Sequence, residues 1–170
     1  EQLIRDYYPT TTFLLPTALG NTIAAFEEYP WTRYRIDAVI LWPRLLPTLT
    51  KENYAVYVER EKAGLDFVLN LCFLILVLGV EMVYVGLIFG QGYTGWLVGA
   101  GFAVFFGFVF YKAAVIGAYN WGTTVRVAFD LYRYHLLKAL YGRPPRSFAD
   151  ETRRWKRISQ FLREGDVAGS

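Results

Sequence analysis

Residues 65–116 read LDFVLNLCFLILVLGVEMVYVGLIFGQGYTGWLVGAGFAVFFGFVFYKAAVI, and from Phe67 to Tyr111 the one charged residue is Glu81. A helix needs about 20 mostly apolar residues to cross the hydrocarbon core. Leu65–Gly90 and Trp96–Ile116 both meet that length, and Gln91-Gly92-Tyr93-Thr94-Gly95 between them is turn chemistry. A backbone in lipid must satisfy its own hydrogen bonds, so two such segments form a helical hairpin. A soluble helix pair would carry charge on an outward face, and neither segment has one. The fold class expected is all-α: an integral membrane helical hairpin with cytoplasmic helical extensions.

Working outward, the flanks set the orientation. Residues 1–64 hold seven Lys and Arg, residues 117–170 hold ten, and the turn holds none. The positive-inside rule then puts both flanks in the cytoplasm. The carboxy-terminal arm sets its ten basic residues against five acidic ones. Anionic lipid of the inner leaflet accounts for that balance, and no nucleic acid is expected as a partner. Only 19% of the 170 residues are charged, below the roughly 25% of soluble domains, while 54% are hydrophobic, which excludes a wholly soluble or a disordered chain. One cysteine and one histidine exclude a disulfide framework, a Cys/His zinc site and most nucleophilic triads. The chain opens on Glu1 with no signal-peptide pattern, and further sequence upstream is expected.

Gly95, Gly99, Ala103 and Gly107 repeat every four residues along the second span, opposite Phe102, Phe105, Phe106 and Phe110; Gly79, Gly86 and Gly90 are their counterparts on the first. Such a stripe lets backbones approach closely. It packs the hairpin against itself or docks a partner helix or a second copy; sequence leaves both open. Glu81 lies past the middle of the first span, where a carboxylate is costly. With the hairpin folded about residue 93, Glu81 stands level with residue 105, and Lys112 is about 10 Å nearer the cytoplasm at ~1.5 Å per residue. A direct ion pair is therefore not expected; Lys112 snorkels to the interface.

Three segments make up the domain organisation: a short-helix motif region over 1–50, a long helical hairpin over 51–141, and an amphipathic helix over 146–164. Thr50 is expected to cap a helix running from Lys51 into the membrane. Leu19, Ile23 and Phe26 mark a helix ending at Tyr29-Pro30, and Asp37 caps a second, AVILW, ending at Trp42-Pro43. Arg126, Asp130 and Arg133 form a charge ladder on the second long helix. Gly142-Arg143-Pro144-Pro145 stops that helix. Ser147 and Asp150 then open a helix with Phe148, Trp155, Ile158 and Phe161 or Leu162 on its apolar side, which either lies on the membrane surface or caps the cytoplasmic bundle.

LPT-x-LGN (Leu15–Asn21), E-x-YP (Glu28–Pro30 ending it), RY-x-IDAV (Arg33–Val39), WPRL (Trp42–Leu45) and AFDLYR (Ala128–Arg133) occur in that order. With the hairpin between the last two, the chain resembles a family of uncharacterised bacterial multi-pass membrane proteins over most of residues 8–162. The resemblance implies architecture, a bacterial inner-membrane location and an additional hydrophobic pair upstream. That family has no established activity, so it implies no catalytic role.

An enzyme needs a nucleophile, a base or a metal site. His135 has no evident partner in sequence, Cys72 sits among leucines, and the three serines fall at 147, 159 and 170. No phosphate loop or metal-spaced carboxylates occur, so no catalytic residue, metal or cofactor is assigned. Asn21, Glu28, Arg33, Arg35, Asp37 and Arg44 are the candidate ligand or partner contacts; Asp–Arg bridges between the short helices explain the same residues. The function expected is a non-enzymatic membrane scaffold or accessory subunit, partnered by the bilayer and by a membrane protein or a second copy. The alternatives are a sensor that binds a ligand through the amino-terminal motif and a small ion or proton conductor centred on Glu81.

Overall fold

A computed structural model describes residues 14–89 and 93–164, and all of its regular structure in that range is helical. The helices are α1 (Ala18–Tyr34), α2 (Ala38–Lys51), α3 (Ala55–Phe89), α4 (Tyr93–Tyr141) and α5 (Phe148–Glu164). Gly90, Gln91 and Gly92 of the expected turn, and the first residues of the family resemblance, lie outside the described residues, while Tyr93 to Gly95, expected in the turn, already belong to α4. The chain divides into two units: residues 1–60 with 119–170, and residues 61–118.

In the first unit, α1 starts where the Thr17 hydroxyl accepts from the Gly20 amide at 3.1 Å. The break expected at Tyr29-Pro30 does not occur: α1 runs through a buried Pro30 to Tyr34. It stops one turn later, at Arg35, whose φ of 63° lies in the left-handed region. The Arg35 amide reaches the Trp31 carbonyl (2.9 Å) and the Ile36 amide the Pro30 carbonyl (3.1 Å), which satisfies the orphaned carbonyls of the last turn. Asp37 caps α2, its carboxylate accepting from the Ile40 amide at 3.3 Å, as its position before AVILW predicts.

The break expected at Trp42-Pro43 is also absent, and α2 continues through Pro43 and Pro47. Ala38, Leu41, Leu45 and Leu49 are buried along one side, while the two prolines, four residues apart, are exposed. Their missing amides fall on the outward face, and burial of the leucine stripe, at about 1.5–3 kcal/mol per side chain, outweighs the lost bonds. The helix expected from Lys51 is displaced too. Thr50 caps nothing; the chain turns at Asn53 (φ 59°), the Tyr54 amide bonds the Leu49 carbonyl at 2.8 Å, and α3 begins at Ala55. Asn tolerates that conformation better than most residues. The stop at Gly142 and the Ser147 cap of α5 appear where the sequence put them, with the Asp150 amide 3.2 Å from the Ser147 hydroxyl.

The core of this unit gathers Ile36, Leu41, Leu45 and Leu49 with Phe129, Leu137 and Trp155, each fully buried. Trp155 and the half-buried Ile158 and Leu162 place α5 against it, so α5 is part of the bundle. Phe148, expected on the same apolar side, is exposed, and of the two alternatives Phe161 and Leu162 it is Leu162 that packs; Glu151 and Ser159 occupy the buried line.

The second unit is an antiparallel helix pair. Had Gly79 a Cβ, it would stand 2.8 Å from the Ala103 Cβ; the equivalent distance from Gly86 to the Trp96 Cβ is 2.9 Å, and from Gly107 to Leu76 Cδ2 it is 2.7 Å. Leu65, Cys72, Gly79 and Gly86, seven residues apart, form the α3 side of the seam. Small side chains there let the backbones come close enough for dispersion contact, the geometry membrane helices use in place of a hydrophobic drive. Both α3 and α4 are long and apolar enough to cross a membrane, and only 17% and 28% of their apolar windows are covered. A core helix of a soluble protein would be mostly covered.

Candidate functional site

Asp130 on α4 anchors the polar centre of the first unit. Its carboxylate accepts from the Tyr29 hydroxyl at 3.0 Å to each oxygen and from the Tyr34 hydroxyl at 2.7 Å. The Arg33 Nε donates onward to the Tyr34 oxygen at 3.2 Å. One turn further along α4, the Arg133 guanidinium lies 4.4 Å from the Tyr34 ring centroid and donates to Glu151 Oε1 at 2.9 Å. Trp155 Nε1 donates to that same oxygen at 3.3 Å. Glu151 is 1% exposed, and its other oxygen, Oε2, is buried without a hydrogen-bond partner. Arg126 completes the row, its guanidinium 4.4 Å from the Phe26 ring and 5.0 Å from the Tyr29 ring.

Burial, followed by the hydrogen bond to the Asp130 carboxylate, pushes both the Tyr29 and Tyr34 hydroxyls above the ordinary tyrosine value. A carboxylate accepting two hydroxyls makes each phenolate costlier still. These tyrosines are therefore donors that stay protonated, suited to fixing geometry and not to accepting a proton near neutrality.

A second junction joins α2 to α5. The Asp37 amide donates to the Ser159 hydroxyl at 3.1 Å, that hydroxyl donates to the Arg35 carbonyl at 3.4 Å, and Arg163 pairs with the Asp37 carboxylate. The Asp–Arg bridges expected among the short helices thus include Asp37, but its cation is Arg163 of α5. Arg33, Arg35 and Arg44 are exposed: Arg35 lies over the Trp31 ring at 5.7 Å, and Arg44 donates to the Ile40 carbonyl at 2.6 Å. Asn21 is buried and clamps its own entry loop, accepting from the Leu15 amide (2.7 Å) and donating to the Leu15 carbonyl (2.9 Å). Glu28 is half-buried. Of the six candidate contacts, Arg35 (through its carbonyl) and Asp37 meet at the Ser159 hydroxyl, Arg33 joins the Tyr34–Asp130 group, and Asn21 closes its own loop.

The expected Arg126–Asp130–Arg133 ladder is the largest correction. All three residues reach other elements instead of each other's side chains. The clue was in the order: a cation four residues before an anion is the weaker orientation on a helix. Glu151 was equally legible, since it falls on the same line as Trp155, Ile158 and Leu162.

Beside this network is an apolar cavity of about 230 Å³, lined by Ile23, Phe26, Trp42, Trp121, Val125 and Phe129, with the exposed Glu27 the one charged lining residue. His135 is exposed, its ring 6.1 Å from Tyr132. Among the described residues no three His, Cys, Asp or Glu side chains gather as a metal ion would need.

In the hairpin, Gly99, Ala103, Gly107 and Gly86 face the opposing helix of the same chain, while a Cβ at Gly95 would meet nothing within 4 Å; Gly90 is outside the described residues. Cys72 is buried, donating to the Gly107 carbonyl at 3.3 Å. The pairing of 79 with 103 and 86 with 96 sets Glu81 level with residue 101, one turn from the expected 105 and farther from Lys112. Glu81 is exposed, and Lys112 lies 5.6 Å from the Phe108 ring centroid. No protein-family model, no curated protein and no solved structure matches the chain.

Proposed function

We propose that the chain is an integral membrane scaffold or accessory subunit with no catalytic role of its own. Residues 61–118 would cross a bacterial inner membrane as a hairpin, and both flanks would fold in the cytoplasm and present a partner surface. The observation that carries this reading is the small covered fraction of two long apolar helices. Burial of an apolar residue removes about 25 cal/mol per Å² of exposed surface cost, and the hairpin leaves most of its phenylalanine and leucine surface for lipid to take. A supporting point is the use of Asp130, Glu151 and Asp37 in holding helices to one another. The motif resemblance to bacterial multi-pass proteins agrees with the same reading.

A reporter fused after Ser170 tests it: cytoplasmic signal and retention of the chain in urea-washed membranes are expected. A periplasmic signal, or a chain that stays dispersed in buffer without amphiphiles, rejects it. The second reading, a sensor, draws on the 230 Å³ aromatic cavity beside the Tyr–Asp network. It predicts a thermal shift with a small apolar ligand that Trp42→Ala abolishes. Conduction through Glu81 gains nothing from a carboxylate that points away from its own hairpin partner.

A further inference from the structure

The seam residues of α3, Leu65, Cys72, Gly79 and Gly86, use one side of that helix. Its opposite side carries a second ridge with the same seven-residue repeat: Leu74, Glu81 and Ile88 in one row, Asn70, Val77 and Tyr84 in the other. All six are exposed, with Leu74 at 60%, Tyr84 at 64% and Ile88 at 56%. Alternating three- and four-residue steps of this kind describe a helix face built to receive another helix.

The polar content of this ridge is what identifies its occupant. Asn70 is the one amide and Glu81 the one carboxyl between Phe67 and Ile88, and both fall on it. Eleven residues separate them, about three turns and ~17 Å, so they share one line along the helix. Glu81 is eight residues short of Phe89, or ~12 Å, beyond the reach of its side chain toward an interface. Pointing at lipid there would cost both groups their hydrogen bonds. A primary amide holds both donors and an acceptor, and two facing carboxyls can share one proton between them, so each is complementary to another of its own kind. That self-complementarity is the requirement of a two-fold interface, where a residue on the axis meets its own counterpart. Two copies inserted in the same orientation bring their ridges together in parallel, with Asn70 beside Asn70 and Glu81 beside Glu81.

We infer that the Asn70–Glu81 ridge of α3 is the surface through which two copies of this chain pair inside the membrane. This rests on the hairpin spanning the bilayer, and it names the partner that the scaffold reading leaves open. The test is disulfide trapping of the full chain in native membranes, with Cys72→Ser as background. Single replacements Leu74→Cys, Val77→Cys, Tyr84→Cys and Ile88→Cys are expected to give cross-linked dimers. Leu78→Cys and Phe105→Cys, exposed on other faces, are expected to give few. Adding Glu81→Leu is expected to weaken pairing roughly three- to twentyfold, and Glu81→Gln, which keeps a donor and an acceptor, to restore most of it. Equal trapping at Phe105→Cys, an absence of self-trapping, or adducts with a different protein alone would overturn the inference. A urea wash of the same membranes separates the two failures: release of the chain rejects the spanning hairpin, whereas retention without periodic trapping rejects only the pairing.

Discussion

The two units hold themselves together by different means. In residues 61–118 the seam sets glycine and alanine against larger apolar side chains such as Leu76 and Trp96, and the Cys72 thiol donates across it to the Gly107 carbonyl. In the other unit, helices far apart in sequence are tied by named polar atoms: Tyr29 and Tyr34 to Asp130, Arg133 to Glu151, Asp37 to Ser159 and Arg163. Close approach in the hairpin asks only for smallness, which tolerates shifts of register. Directional bonds in the bundle specify which residue meets which. The lesson is that this chain places its specificity in the arms and leaves its membrane-length helices to composition.

Removing the centre of the bundle is the strongest way to break that contrast. Trp155 is fully buried and donates to a buried carboxylate, so Trp155→Ala is expected to cost about 3–5 kcal/mol. The expected signature is early thermal loss of near-ultraviolet signal from the arms while far-ultraviolet helicity of the hairpin persists in detergent. A single transition that melts both units together would show that the division is not energetic. Arg133→Met comes next. It leaves Glu151, 1% exposed, without its cation, and breaking such a pair costs about 3 kcal/mol or more because the remaining charge stays buried. The double variant Arg133→Met with Glu151→Leu is expected to recover much of the loss, measured as a double-mutant cycle.

Alkaline pH probes the Tyr–Asp130 centre without mutation. Both hydroxyls release their protons at a higher pH in the folded chain than the ordinary value of about 10. Their contribution is therefore complete below about pH 10 and is lost as pH rises beyond it, because the unfolded chain gives up protons that the folded one retains. The melting temperature of the arms is expected to fall more steeply above pH 10 than that of a Tyr29→Phe, Tyr34→Phe variant. Equal slopes would mean the hydroxyls are not held by Asp130.

How much of this was legible follows from the same contrast. The hairpin was plain, since forty-five residues with one charge admit few structures, and even its small-residue seam could be marked. Local punctuation was read well where side chain and backbone interact within a turn, as at Asp37, Gly142 and Ser147. It failed at Pro30, itself buried on the packed side of α1 with Phe26 and Tyr34, and at Pro43, where tertiary burial of the α2 leucine stripe overrides a local breaker. The polar centre was invisible for another reason: Tyr29 and Asp130 are 101 positions apart, and no local rule joins them. Helical spacing put Arg126, Asp130 and Arg133 near one another, and that nearness concealed that Arg126 and Asp130 face α1 while Arg133 reaches both α1 and α5.

Arg35 gives the smallest expected effect and the most discriminating one. It holds a φ of 63°, where a side chain costs about 1 kcal/mol or somewhat more and glycine nothing. Arg35→Gly would remove that strain. Against it stand the greater entropy that glycine loses on folding, about 0.5–1 kcal/mol, and the contact with the Trp31 ring at 5.7 Å, worth roughly 0.5 kcal/mol on an exposed site. The contributions nearly cancel, and the variant is expected to melt within a degree or two of the parent. A clear gain in stability would mean that an exposed arginine occupies a glycine position at a cost to the fold, which points to a partner or a headgroup as its reason. A clear loss would instead assign Arg35 to holding Trp31 and the junction of α2 with α5, where its carbonyl receives the Ser159 hydroxyl.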